Sequence, residues 1–138
     1  MVINFTKSDK TINNPKAVFE VLKGYMKAQD KIDRDKEHFF VFHLDVRHKI
    51  KLLELVSVGT LTSTMVHPRE VFTRAISARS AYIIIAHNHP SGVIEPSTDD
   101  IAITNRLQEA GKILDITVLD HIIISSKEFY SFKANGRM

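Results

Sequence analysis

Ala81-Tyr82-Ile83-Ile84-Ile85-Ala86-His87-Asn88-His89-Pro90, followed by Ser97-Thr98-Asp99-Asp100, decides how this chain reads. The apolar run ending at Ala86 predicts a strand buried on both faces, in a sheet covered by helices. An extended chain repeats every second residue, so His87 and His89 project from one face of the strand end. Two imidazoles so placed can bind one divalent metal. Asp100 can add a carboxylate from the start of the next element. Two His and one Asp leave a fourth position open for water, as catalytic rather than structural zinc is held. The residues therefore predict a metal-dependent hydrolase.

Working outward, Asn14-Pro15 predicts a helix start, with Val18, Val21, Leu22, Tyr25 and Met26 at helical spacing. This helix is expected to fade in the charged stretch 30–36. Phe39 to Leu44 and Ile50 to Val58 predict two strands joined by a turn at Arg47-His48-Lys49. Pro68 opens a second helix with Val71, Phe72, Ala75 and Ile76 as its buried stripe. Ser97 caps a third helix carrying Ile101, Thr104, Leu107 and Ala110, which Gly111 can end. Segments 113–119 and 121–124 predict two more strands, and 129–132 a short last one. The expected fold is α/β: a mixed sheet flanked by helices, in one domain over residues 14–138 after an N-terminal arm at 1–13.

At 138 residues, with 43% hydrophobic and 25% charged, the composition is that of an ordinary globular domain. No apolar run approaches a membrane span, and the N-terminus has no signal-peptide pattern, so a cytoplasmic protein is expected. With no cysteine, any metal must take nitrogen and oxygen ligands. A net charge of +3, scattered along the chain, is too slight to predict nucleic-acid binding by itself.

His87-x-His89-Pro90, six residues, and Ser97-x-x-Asp100 resemble the JAMM (JAB or MPN-plus) metalloprotease motif. Val58-Gly59-Thr60-Leu61, His67-Pro68-Arg69-Glu70-Val71-Phe72, His87-Asn88-His89-Pro90-Ser91-Gly92, Pro96-Ser97 and Leu119-Asp120-His121-Ile122-Ile123 look like its RadC branch, over most of residues 36 to 136. The resemblance implies a JAB/MPN, cytidine-deaminase-like architecture. It implies zinc held by His87, His89 and Asp100 with a bound water. It implies Glu37, just ahead of Phe39-Phe40-Val41-Phe42, as general base, and Ser97 as stabiliser of the oxyanion. Glu54, on the neighbouring strand, is the second candidate for the base. The implied activity is amide hydrolysis of the peptidase or isopeptidase type, on an unidentified protein or peptide.

Each residue also has a plainer reading. Ser97-x-x-Asp100 alone is a helix capping box. Glu37 stands in a charged stretch where an exposed acid needs no function. Asp120-His121 reads as a hydrogen-bonded pair between strands before it reads as support for a metal. Two other functions compete with hydrolysis: a DNA-repair-associated accessory protein of the RadC type, and a metal-stabilised interaction module. The chain is expected to lack the N-terminal helix-hairpin-helix region of many RadC-like proteins.

Overall fold

The computed structural model describes residues 1–3, 10–59 and 66–138. Thr60 and Leu61, and residues 4–9 of the expected N-terminal arm, lie outside them. Helix α1 (Pro15–Lys27) starts where Asn14 Oδ1 accepts a hydrogen bond from Ala17 N at 3.0 Å. Residues 30–36 do not simply fade. Asp30 caps a one-turn helix, α2 (Lys31–Arg34), by accepting from Asp33 N at 2.9 Å.

Strands β1 (Val2–Ile3), β2 (Glu37–Leu44), β3 (Ile50–Gly59), β4 (Tyr82–Asn88), β5 (Thr117–Ile124) and β6 (Phe129–Ser131) form one sheet in the order β1-β3-β2-β4-β5-β6. Only β4 and β5 run parallel. A parallel neighbour requires a crossover, and α4 (Thr98–Leu114) supplies it. Helix α3 (Pro68–Ser77) connects β3 to β4. The fold is the mixed α/β sheet flanked by helices that the sequence predicts.

Alternation along the strands builds two cores. Phe40, Phe42, Leu44, Ile84, Ala86, Ile122 and Ile124 meet the α1 face of Val18, Phe19, Val21 and Leu22. Phe39, Val41, Ile83, Ile85 and Val118 meet Val71, Phe72 and Ala75 of α3 and Ile103 and Leu107 of α4. With every β4 residue from Ile83 to Asn88 buried, the strand has the double cover its apolar run requires.

Three expectations change. The 1–13 arm is not featureless: Val2 and Ile3 pair with Glu54 and Leu53, Thr11 bridges Lys49, and Ile12 joins the core. Helix α4 runs through Gly111 to Leu114, and Asp115 closes it in the left-handed conformation (φ 56°). Gly111 serves a close approach, because a Cβ there would collide with the carbonyl oxygen of Ile116. Segments 113–119 and 121–124 are therefore not two strands but a helix end followed by one strand. That strand carries a bulge. Ile83 pairs with Val118 and Ile84 with Asp120, leaving Leu119 as the extra residue. The bulge shifts the alternation by one, so Val118 and His121 both face α3 and α4.

Candidate metal centre

His87 lies on β4 opposite Phe39, on the sheet face that α4 covers. Beyond it the chain turns sharply. His89 N donates to Ile124 O at 2.8 Å, and Gly92 N donates to His89 O at 3.0 Å. Gly92 has φ +87°, which favours glycine. The turn brings Val93 O to 2.7 Å from His89 Nδ1, so this nitrogen donates and Nε2 faces inward. Asp100 arrives from the other side, held by reciprocal bonds at the start of α4. Its N donates to Ser97 Oγ at 3.1 Å, and its Oδ2 accepts from Ser97 N at 2.9 Å. The capping reading of this pair and its place beside the histidines are both realised.

The three side chains converge. His87 Nε2 is 3.1 Å from Asp100 Oδ1, and His89 Nε2 is 3.1 Å from Asp100 Oδ2. The two Nε2 atoms are 3.0 Å apart. Tetrahedral ligands at roughly 2.0–2.1 Å from zinc stand about 3.3–3.4 Å from one another. An outward shift of about 0.3 Å would therefore admit one ion. The donor set, two imidazoles and a carboxylate without sulfur, suits zinc or a neighbouring divalent metal.

Charge favours a cation here. Burial opposes ionisation of Asp100, but its contacts with the His87 and His89 rings and the Ser97 backbone N–H outweigh it and hold the carboxyl well below its usual range. Burial likewise opposes protonation of His89. Its bonds to Asp100 and Val93 O, with the charges of Asp100 and Glu37, nevertheless raise its pKa. The signs fix a pH dependence. The raised His89 contributes stability that is full below the ordinary histidine value, about 6.5, and is lost as pH rises through its folded pKa. The depressed Asp100 contributes stability present above about 4 and lost on acidification. A metal displaces the His89 proton, so its stabilising effect grows with pH. The gap in unfolding midpoint between zinc-loaded and chelated protein should widen from about pH 5.5 to about pH 8; a constant gap would contradict this proton competition.

Behind His87 lies a buried relay. Thr104 Oγ1 donates to Asp100 O at 2.7 Å, since a carbonyl can only accept. The same oxygen accepts from His121 Nδ1 at 2.5 Å. His121, wholly buried, is held uncharged: burial pushes its pKa well below the usual value. Its Nε2 then accepts from His87 Nδ1 at 2.8 Å. This order of protons fixes His87 as the Nδ1–H tautomer and leaves the Nε2 lone pair facing Asp100 and His89. The sequence reading favoured an Asp120–His121 pair, which is only partly right. Asp120 accepts from His121 N at 2.7 Å, but its carboxylate holds Ser131 Oγ and Lys133 N on the other side of the sheet.

Glu37 opens β2 two residues before Phe39, on the same face as Phe39. Because Phe39 pairs with His87, this places Glu37 level with His89, and its charge contributes to the raised pKa there. Asn88 makes this placement rigid. Its Oδ1 accepts from His38 N at 2.6 Å and its Nδ2 donates to Lys36 O at 2.9 Å, bracketing Glu37 on both sides. Asn88→Ala should cost about 2–3 kcal/mol in urea unfolding, because two inward-facing peptide groups lose their partner. A loss under about 0.5 kcal/mol would remove the clamp from the account.

Glu54, the second candidate base, is engaged elsewhere. It lies opposite Val41, accepts from buried His43 at 3.2 Å, and pairs with Arg74 of α3 at 3.6 Å. Ser97, exposed at the mouth of the trio, accepts from Asp100 N and keeps its hydroxyl proton for another partner.

The chain is similar in sequence to known proteins. The RadC-like JAB domain profile matches residues 12–137. A UPF0758 protein of Chlorobium chlorochromatii is 44% identical over 119 residues, 86% of this chain and 51% of that protein. A UPF0758 protein of Desulforudis audaxviator is 51% identical over 102 residues, 74% and 44% of the two chains. One from Methanosarcina mazei is 42% identical over 127 residues, 92% and 53%. The chain spans about half the length of these curated relatives. With a profile match over nearly its whole length and a converged His-His-Asp trio where the motif predicts one, the chain belongs to the RadC-like JAB domain family.

Proposed function

We propose that this domain is a zinc-dependent hydrolase of amide bonds, of the peptidase or isopeptidase type. The observation that carries the reading is the trio itself: two Nε2 atoms 3.0 Å apart, each 3.1 Å from one oxygen of the Asp100 carboxylate, His87 and Asp100 buried and His89 half-buried, with Glu37 level with His89. Zinc on His87, His89 and Asp100 would supply a water whose pKa is lowered to about 7. Glu37 would be the carboxylate that takes a proton from water and returns it to the leaving amine. The Ser97 hydroxyl, with its proton uncommitted, is the donor placed for charge developing on the carbonyl oxygen. His121 and Thr104 keep His87 in its metal-binding tautomer throughout.

The test separates metal binding from turnover. Zinc-loaded wild type and Glu37→Gln are incubated with a mixed library of peptides, and new termini are identified by mass spectrometry. Glu37→Gln should retain zinc and lose about 10²–10⁴-fold in cleavage rate. Equal cleavage by both proteins would remove Glu37 from its role. No cleavage by zinc-loaded wild type on such a library would favour the interaction-module alternative.

No helix among the described residues is long and apolar enough to cross a membrane.

A further inference from the structure

A groove opens beside His89, on the side away from α4. Its walls are the C-terminal half of α1 (Lys23, Met26, Lys27), the end of α2 with its C-cap (Arg34, Asp35), the loop after β4, and the end of β5 with Ile124. Three cations and one acid line it. Lys27 and Arg34 are exposed and pair with no acid among the described residues, while nearby Lys36 does pair with Asp33 at 3.5 Å. Lys23 lies with its ammonium 5.4 Å from the Phe19 ring centroid. Among the described residues the lining thus carries more positive than negative charge, beside the apolar Met26, Pro90 and Ile124.

The position of this groove is not arbitrary. Asn88 ties Lys36 and His38 to β4, which fixes the Arg34–Asp35 rim relative to the metal trio. His89 belongs to both the trio and the groove wall. A chain with an amide at the trio would have its neighbouring residues in the groove.

We propose that the groove binds acidic side chains of a peptide, next to the bond presented to the metal centre. The placement of that bond rests on the amide-hydrolase reading. Chemistry chooses the occupant. Single-stranded nucleic acid is bound with aromatic platforms under its bases, and no Phe, Tyr or Trp among the described residues lines this groove. The cavity, about 240 Å³, is smaller than the roughly 300–1,000 Å³ of sites for whole small ligands, and suits side chains. Carboxylates against Lys and Arg beside an apolar floor match a glutamate- or aspartate-rich segment.

The test is fluorescence anisotropy of a labelled, C-terminally amidated hexaglutamate peptide on the whole chain at low ionic strength. Hexaglutamine and an oligothymidylate serve as competitors. Lys27→Glu and Arg34→Glu should each weaken hexaglutamate binding about fivefold, since reversal replaces attraction by repulsion. Lys112→Glu, the same charge change in the last turn of α4, should change it less than about twofold. Equal weakening by all three would mean non-specific attraction and overturn the proposal, as would equal binding of hexaglutamine. Oligothymidylate that binds more tightly and responds to the same two reversals would assign the groove to nucleic acid instead. Binding does not depend on turnover. Hexaglutamate retained by Asp100→Asn, with no hydrolysis of any peptide by wild type, would keep the groove and discard the peptidase.

Discussion

Asp100→Asn should leave the fold standing and empty the metal centre. Elemental analysis of protein purified without added metal should give about one zinc per chain for wild type and under about 0.1 for the variant. Asparagine is the informative substitution because Asp100 has two roles. Its Oδ2 accepts from Ser97 N at the head of α4, and an amide oxygen can still do so. What asparagine lacks is the negative charge, which the trio needs to hold a divalent cation between two imidazoles. Substitution by alanine would also remove the acceptor of Ser97 N, the reciprocal half of the capping box, and blur the result. Stoichiometric zinc in Asp100→Asn, in a protein with unchanged far-UV dichroism, would show that the ligand set is wrong.

His121→Phe should weaken zinc about 10–100-fold although His121 cannot reach the metal. The ring of His121 stacks on Phe132 with centroids 4.5 Å apart, and phenylalanine preserves that packing. The substitution removes only the two nitrogens, one accepting from His87 and one donating to Thr104. His87 then loses the partner that fixes its Nδ1–H tautomer, and part of its population presents a proton where zinc requires a lone pair. Glutamine, which can accept at one end and donate at the other, should recover part of the affinity. Competition against a chromogenic chelator would read both variants. Equal losses for Phe and Gln would make the effect one of packing.

The part of the site that was legible in the sequence is the part whose geometry is local. His87 and His89 share a face because a strand has period 2, and Ser97 and Asp100 meet because a helix start brings residues three apart together. Glu37 could not be chosen on residues alone. Its approach to His89 depends on antiparallel pairing of β2 with β4, which only the family resemblance implied. His121 was undervalued for a similar reason. The bulge at Leu119 leaves no periodic trace, and without it His121 would face α1 rather than His87. Thr104 carried a usable signal, one helical turn beyond Asp100 and hence on the same face. The role of Asn88 was not legible, because its side chain substitutes for a backbone pairing that ends at Phe39 and His87. The strand boundaries were misread where a helix end is apolar: Ile113 and Leu114 resemble a strand start, yet both are exposed at the end of α4.

The measurement that bears most directly on the central claim is zinc K-edge X-ray absorption of the metal-loaded chain. The account predicts four nitrogen and oxygen neighbours at about 2.0–2.1 Å, two of them with the outer-shell scattering of imidazole, and one exchangeable oxygen from solvent. Three imidazoles, or a fourth protein ligand closing the site to water, would contradict an open catalytic centre built on His87, His89 and Asp100.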